Sequence, residues 1–265
     1  MLDLPGLKGK KAVLTGAYGV FGVWMAEAFR DAGVHLCLSG SKMDKLEAMA
    51  AKLNAPQPPL LVPADLREEG DINTLVKKVA DTWGAPDFLV NNAGMYRYDF
   101  VLDMPTALFD AILAVNVRAP FLLSREMGRL MIRRGVKGSI VNISSSSGRK
   151  NRVTSVPYSL SKAAVNHMSP GLALEFAPYG IRVNVVEPGF APGSESNPTP
   201  EKHVTTTSGN IPLGRTSGPD DVPGTVLFLC SESASYITGA NIYVDGGASI
   251  GNRTVYLDKQ KPATL

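Results

Sequence analysis

Between residues 11 and 245 the chain alternates short apolar runs with stretches of helical period, and nothing else in it narrows the fold so far. The apolar runs fall at 11–15, 34–39, 59–63, 86–91, 138–143, 181–187 and 241–245. Helical patterns occupy 20–32, 42–53, 70–83, 106–134, 156–179 and 219–230. Runs such as Phe88-Leu89-Val90 and Ile140-Val141-Asn142-Ile143 suit parallel strands covered on both faces. The alternation predicts an α/β, doubly wound Rossmann-type fold, with a parallel sheet of about seven strands between two helical layers. Ligands of such sheets bind outside the carboxyl ends of the strands.

With 265 residues, 44% hydrophobic and 19% charged, the chain has the size of one α/β domain, and no linker or internal repeat divides 1–265. Two places break the pattern. Residues 189–213, GFAPGSESNPTPEKHVTTTSGNIPL, follow a strand's carboxyl end and are expected to form an irregular substrate loop or lid. His167-Met168-Ser169-Pro170-Gly171 interrupts the pattern of 156–179. An interior proline costs about 3 kcal/mol in a helix, so a kink or bulge within one helix is expected there.

Composition argues against several classes of function. No eighteen consecutive apolar residues occur, so no membrane span is expected. MLDLPGLKGKK lacks the apolar stretch of a secretion signal, which leaves a cytoplasmic address as the expectation. The net charge of +3 is dispersed, without the basic stripe that nucleic acid requires. Three scattered histidines make a metal site unexpected, and Cys37 and Cys230, in apolar surroundings, read as buried thiols.

Chemistry-bearing residues collect at the strand ends. TGAYGVFG, residues 15–22, places Gly16, Gly19 and Gly22 between the first strand and the first helix, where a helix N-terminus can hold a phosphate. Asn91-Asn92-Ala93-Gly94 follows the fourth strand, and Ser144-Ser145-Ser146-Ser147-Gly148 follows the fifth. Tyr158 and Lys162 stand four apart, on one face of the next helix. Reducing a small-molecule carbonyl with a hydride leaves negative charge on oxygen, which calls for a proton donor and a hydrogen-bond donor. A phenol with a pKa of about 10 needs a nearby ammonium to favour phenolate near neutral pH, and Lys162 can supply that field.

In order, the glycine loop, Asp65-Leu66, NNAG, Asn116, the Ser–Tyr–Lys set, Arg182-Val183-Asn184 with Pro188-Gly189, Thr238-Gly239 and Asp245-Gly246-Gly247 span nearly the whole chain. Together they resemble the short-chain dehydrogenase/reductase (SDR) superfamily in its small single-domain subgroup. Tyr-x-x-x-Lys alone is a weak signal, whereas the joint order and spacing is a strong one. The resemblance implies an NAD(P)(H)-dependent oxidoreductase that interconverts a secondary alcohol and a ketone. It implies Tyr158 as general acid/base and Lys162 as its electrostatic partner and a holder of the nicotinamide ribose. It also implies Ser145, thirteen residues before Tyr158, as the catalytic serine, and Asn116 as the ligand of a proton-relaying water. Cofactor contacts carried over the same way are Gly16, Tyr18, Gly19 and Phe21 in the loop, Asp65 and Leu66 at the adenine, Asn92, Ala93 and Gly94, and Pro188, Gly189 and Ala191. Asn116 also reads as a polar residue kinking its helix, and Asn92 as a stitch between central strands. Homo-oligomers, tetramers or dimers, are common in the family, and Leu122, Met127, Leu172 and Phe176 are expected to face a partner.

The second strand ends Ser39-Gly40-Ser41-Lys42, without the acid that would bind ribose hydroxyls and repel a 2′-phosphate. Ser41 and Lys42 are donors to such a phosphate, so NADP(H) is the expected cofactor, with NAD(H) possible. The loop departs from the subgroup's TGxxxGxG, because Val20 stands where a glycine is usual. Its TGxxGxxG spacing is that of larger nucleotide-sugar epimerases and dehydratases, the alternative reading beside a non-catalytic dinucleotide sensor. NNAG, the closing DGG and the 265-residue length favour the oxidoreductase, and the retained Tyr158 and Lys162 speak against the sensor. Glu187 places an unusual carboxylate near the nicotinamide end, and Gly193 stands where the family often has threonine. Met95, Tyr96, Arg97 and Tyr98 are candidates for the mouth of the site.

Overall fold

The computed structural model describes residues 4–193 and 199–251. Among them seven strands form one parallel sheet: β1 (Lys11–Thr15), β2 (His35–Gly40), β3 (Leu60–Pro63), β4 (Phe88–Asn91), β5 (Ser139–Ile143), β6 (Arg182–Pro188) and β7 (Asn241–Val244). Their order is β3-β2-β1-β4-β5-β6-β7. The helices are α1 (Val20–Asp31), α2 (Met43–Leu53), α3 (Glu69–Trp83), α4 (Thr106–Leu113), α5 (Ala119–Arg133), α6 (Val156–Phe176), α7 (Glu201–Asn210) and α8 (Val222–Cys230). The direction of winding reverses between β1 and β4, which opens a crevice at their carboxyl ends.

Successive strand residues point to opposite faces, so the sheet divides two cores. Leu14, Leu38, Val90 and Val186 pack with Phe29 of α1 and Leu229 of α8. On the other face Val13, Leu89, Ile140 and Val183 pack with Leu75 of α3, Leu123 of α5 and Leu172 of α6. Cys230 lies in the first core and Cys37 in the second, both unpaired, and burial pushes each thiol up to about 12.

The predicted doubly wound fold is present, with three local differences. The helical pattern of 106–134 contains a π-helical turn, Ala114–Arg118, centred on Asn116. α6 runs unbroken through Pro170, and the Asn166 carbonyl, which Pro170 cannot bond, accepts from Asn241 Nδ2 at 3.4 Å. The expected irregular stretch 189–213 contains α7, whose residues are all at least partly exposed. No apolar period marks this helix, and the hydroxyls of Thr205, Thr206 and Ser208 donate to carbonyls four residues back at 2.8–3.0 Å. Residues 194–198 of that stretch lie outside the described residues.

The helical run Thr106–Arg133 is long and apolar enough to cross a membrane by length and composition. In the fold Ile112, Leu123, Met127 and Met131 of this run are buried in the domain. The residues expected to face a partner are also internal. Leu122, Met127 and Leu172 are buried, and Phe176 covers Gly128, where a Cβ would come within 2.7 Å of the ring. Helical period groups residues on a face without saying which face meets the sheet. The exposed apolar residues of α5 and α6 are instead Phe121, Val156, Leu160 and Leu174.

Candidate active site

The glycine loop closes β1 onto α1. Gly16 has φ +64°, and a Cβ there would stand 2.7 Å from Ala93 Cα. A Cβ on Gly22 would strike the Gly16 carbonyl oxygen at 2.2 Å. Gly19 caps α1 without a side-chain bond to its first amides, and the first turn holds no acid. The N-terminal N–H groups of α1 therefore have no side-chain acceptor of their own. Val20 is the first residue of α1 and lines a cleft of about 720 Å³ that runs on to Tyr158. An uncapped helix N-terminus, a loop only glycine permits and a cleft of this size fit a dinucleotide.

At the other end of the cleft, Ser145 follows β5 and accepts the Ser147 N–H at 3.1 Å, which holds a tight turn. Gly148 lets that turn lie against α6, since a Cβ would come within 2.9 Å of the Lys162 carbonyl carbon. Tyr158 sits in the first turn of α6, and Lys162 one turn along is buried. Lys162 Nζ donates to the Ile143 carbonyl at 2.8 Å and stands 5.8 Å from the Tyr158 ring centre. Burial lowers the Lys162 ammonium to about 8. Burial also pushes the Tyr158 phenol above its usual 10, while the Ser145 hydroxyl draws it back and Tyr96 adds a smaller push upward. The net shift is upward, opposite to the expectation that Lys162 would favour phenolate near neutral pH.

Asn116 is held by three bonds: its Oδ1 accepts the Met95 N–H at 2.7 Å, and its Nδ2 donates to the Met95 carbonyl at 3.0 Å and to Ser161 Oγ at 2.9 Å. A Cβ on Gly94 would stand 3.6 Å from Lys162 Nζ and 3.7 Å from Asn116 Oδ1, so both side chains meet at this glycine. Asn116 thus props an irregular turn and stands at the Lys162 site at once. Asn92 Nδ2 donates to the carbonyls of Thr15 and Gly16 at 2.9 and 3.0 Å, which ties NNAG to the glycine loop while the residue lines the cleft. Asn91 Nδ2 donates to Asn142 Oδ1 at 2.8 Å, and Asn142 Nδ2 to Ser169 Oγ at 2.9 Å, which joins β4, β5 and α6.

The adenine end is built from β2 and β3. Ser41, Asp65 and Leu66 line the cleft, as do Phe21, Ala93, Pro188 and Gly189 elsewhere along it. Tyr18 folds onto the end of β2, pairing with Ser41 Oγ at 2.9 Å and accepting the Ser41 N–H at 3.0 Å. The Asp65 carboxylate is engaged by Arg67, whose guanidinium hydrogen bond holds it below the usual carboxylate range. Lys42, Asn116 and Ala191 do not line this cleft: Lys42 is the exposed N-cap of α2, Asn116 is buried behind Met95, and Ala191 lies beyond Gly189.

Two arginines escaped the sequence reading. Arg67 lines the cleft beside Asp65. Arg149 binds the carboxylate of Glu187 through Nε and Nη2 at 3.0–3.2 Å, with its guanidinium 4.7 Å from the Tyr243 ring centre. Glu187 is wholly buried and lies outside the cleft lining, so its charge is answered by Arg149. The only local hint was a basic residue after the serine run, with its partner 38 positions on. At the mouth, Met95, Tyr96 and Arg97 line the cleft, Tyr96 meets Tyr158 edge-on at 4.7 Å, and Tyr98 stands exposed behind it.

A family model described as Enoyl-(Acyl carrier protein) reductase matches residues 16–249. The chain belongs to the short-chain dehydrogenase/reductase superfamily. SDR proteins are oxidoreductases that use NAD(P), act on small molecules and commonly form oligomers. This SDR is 35% identical to a 3-oxoacyl-(acyl-carrier-protein) reductase of Aquifex aeolicus, over 91% of this chain and 98% of the relative. An SDR structure from Mycobacterium marinum superposes with a TM-score of 0.86 at 32% identity, over 94% of this chain and 98% of the other. The L-sorbose reductase of Gluconobacter frateurii, solved with NADPH and L-sorbose, superposes with a TM-score of 0.87 at 27% identity, over 94% and 99%.

Proposed function

We propose that this SDR interconverts a ketone and a secondary alcohol with Tyr158 as general acid/base, and that it prefers NADP(H). The observation that carries the reading is the Tyr158 phenol set with Ser145 and Lys162 at the end of a cleft that begins at the α1 N-terminus. The bound cofactor supplies or accepts the hydride. The α1 amides and the glycine loop receive the pyrophosphate. Ser145 donates a hydrogen bond to the substrate oxygen, and Tyr158 releases its proton as negative charge grows there. Lys162, buried behind the phenol, steadies the phenolate left after transfer and holds the nicotinamide ribose. Asn116 fixes the Met95 segment against Ser161 of α6 and stands beside Lys162 on the proton path. Oxidation of the alcohol reverses these roles.

The cofactor preference rests on the absence of an acid at Gly40, on Ser41 as a donor, and on the NADPH held by the sorbose reductase. Tyr158→Phe removes the proton donor while keeping the ring. We expect turnover to fall about a hundredfold or more with cofactor affinity retained. The assay is a screen of ketones and alcohols with both cofactors, and near-normal turnover in the variant refutes the role of Tyr158.

A further inference from the structure

Cofactor choice in a doubly wound fold is made at the end of the second strand, where a carboxylate selects a ribose 2′-hydroxyl and repels a 2′-phosphate. Here that position is Gly40. Its φ lies outside the left-handed region, so the backbone does not call for glycine there. The neighbour does. A Cβ on Gly40 would stand 2.4 Å from Tyr18 Cε1, 3.0 Å from Cζ and 3.1 Å from Cδ1. The ring is held where it lies: its hydroxyl has two bonds to Ser41, Lys45 Nζ stands 5.6 Å from its centre, and its body packs against the first core.

We propose that Tyr18 is the residue that sets cofactor choice in this protein. Its ring reserves position 40 for glycine and so bars the carboxylate that would favour NAD(H). Its hydroxyl, bonded to both the amide and the side chain of Ser41, holds that serine in place as a donor to a 2′-phosphate. This rests on the NADP(H) preference proposed above and adds the side chain that enforces it.

The test is calorimetric titration of NADPH and NADH into the wild type, Tyr18→Phe, Gly40→Asp and the double variant Tyr18→Ser/Gly40→Asp, with a melting temperature for each. Gly40→Asp alone should weaken both cofactors tenfold or more, because a Cβ at position 40 meets the Tyr18 ring at 2.4 Å. The double variant should bind NADH at least tenfold more tightly than Gly40→Asp does, and more tightly than it binds NADPH. Tyr18→Phe should lose several-fold in NADPH affinity with NADH within twofold of wild type. Equal NADH affinity in Gly40→Asp and the double variant overturns the steric role, and an unchanged NADPH affinity in Tyr18→Phe overturns the role of the hydroxyl. A wild type that binds NADH more tightly refutes the NADP(H) preference, while the single-against-double comparison still decides whether Tyr18 guards position 40. If Gly40→Asp does not fold, Gly40→Ala replaces it. Its melting temperature should drop and recover in Tyr18→Ser/Gly40→Ala, and no recovery overturns the proposal.

Discussion

Lys162→Met replaces the buried ammonium with an apolar side chain of similar length, and its effect on stability is set by where the lysine titrates. Burial holds the folded value at about 8 against 10.5 for the exposed group. Below pH 8 the lysine is protonated in both states, and the folded protein carries the full cost of burying the charge. Between pH 8 and 10.5 the unfolded chain binds more protons than the folded one, so wild-type stability rises with pH across this window. The rise reaches about 2–3 kcal/mol by pH 10. The methionine variant has no group titrating at this position and lacks that rise. Losing the Nζ bond to Ile143 costs the variant roughly 1–3 kcal/mol at every pH, an offset that leaves the slope untouched. Urea midpoints of the two cofactor-free proteins from pH 6 to 10 should therefore run parallel up to about pH 7.5 and then diverge in favour of wild type. Curves that stay parallel to pH 10 refute the buried-ammonium argument. Turnover should be lost in the variant at all pH values, which marks the buried charge as a stability cost borne for catalysis.

Arg149→Met leaves the wholly buried Glu187 carboxylate without its cation. We expect a loss of about 2–3 kcal/mol in urea denaturation, less than a fully enclosed pair because the arginine is 41% exposed. Arg149→Met/Glu187→Met should regain most of that loss, and an equal loss in both variants refutes the pairing. The exposed Phe121, Leu160 and Leu174 on α5 and α6 are expected to be covered by a second copy. Light scattering should then show a dimer or tetramer, Leu174→Arg should shift the protein toward monomer, and a monomeric wild type at micromolar concentration refutes it.

Much of the site was legible before the fold was known. Tyr158 and Lys162 share a face because four residues make about one helical turn, and Gly16 and Gly22 announce a tight loop because no other residue fits one. The seven strands were legible for the same reason: strand and helix periods are properties of the local backbone, written in neighbouring residues. α7 was not, because its ten residues carry no apolar period and its hydroxyls satisfy their own carbonyls. Pro170 drew attention as a disruption, yet α6 runs through it unbroken, whereas the kink read at Asn116 in the 106–134 pattern is present as a π-helical turn, held by side-chain bonds to Met95 and Ser161 across 21 and 45 positions. Likewise Leu122, Met127 and Leu172 were rightly grouped as apolar faces and wrongly turned outward. Only the sheet decides which side of a helix it covers. The grip of Arg149 on Glu187 and of Tyr18 on Gly40 belongs to the same class. A sequence reports what each residue is and what its near neighbours permit, whereas these contacts arise from distances between atoms that only chain folding brings within reach.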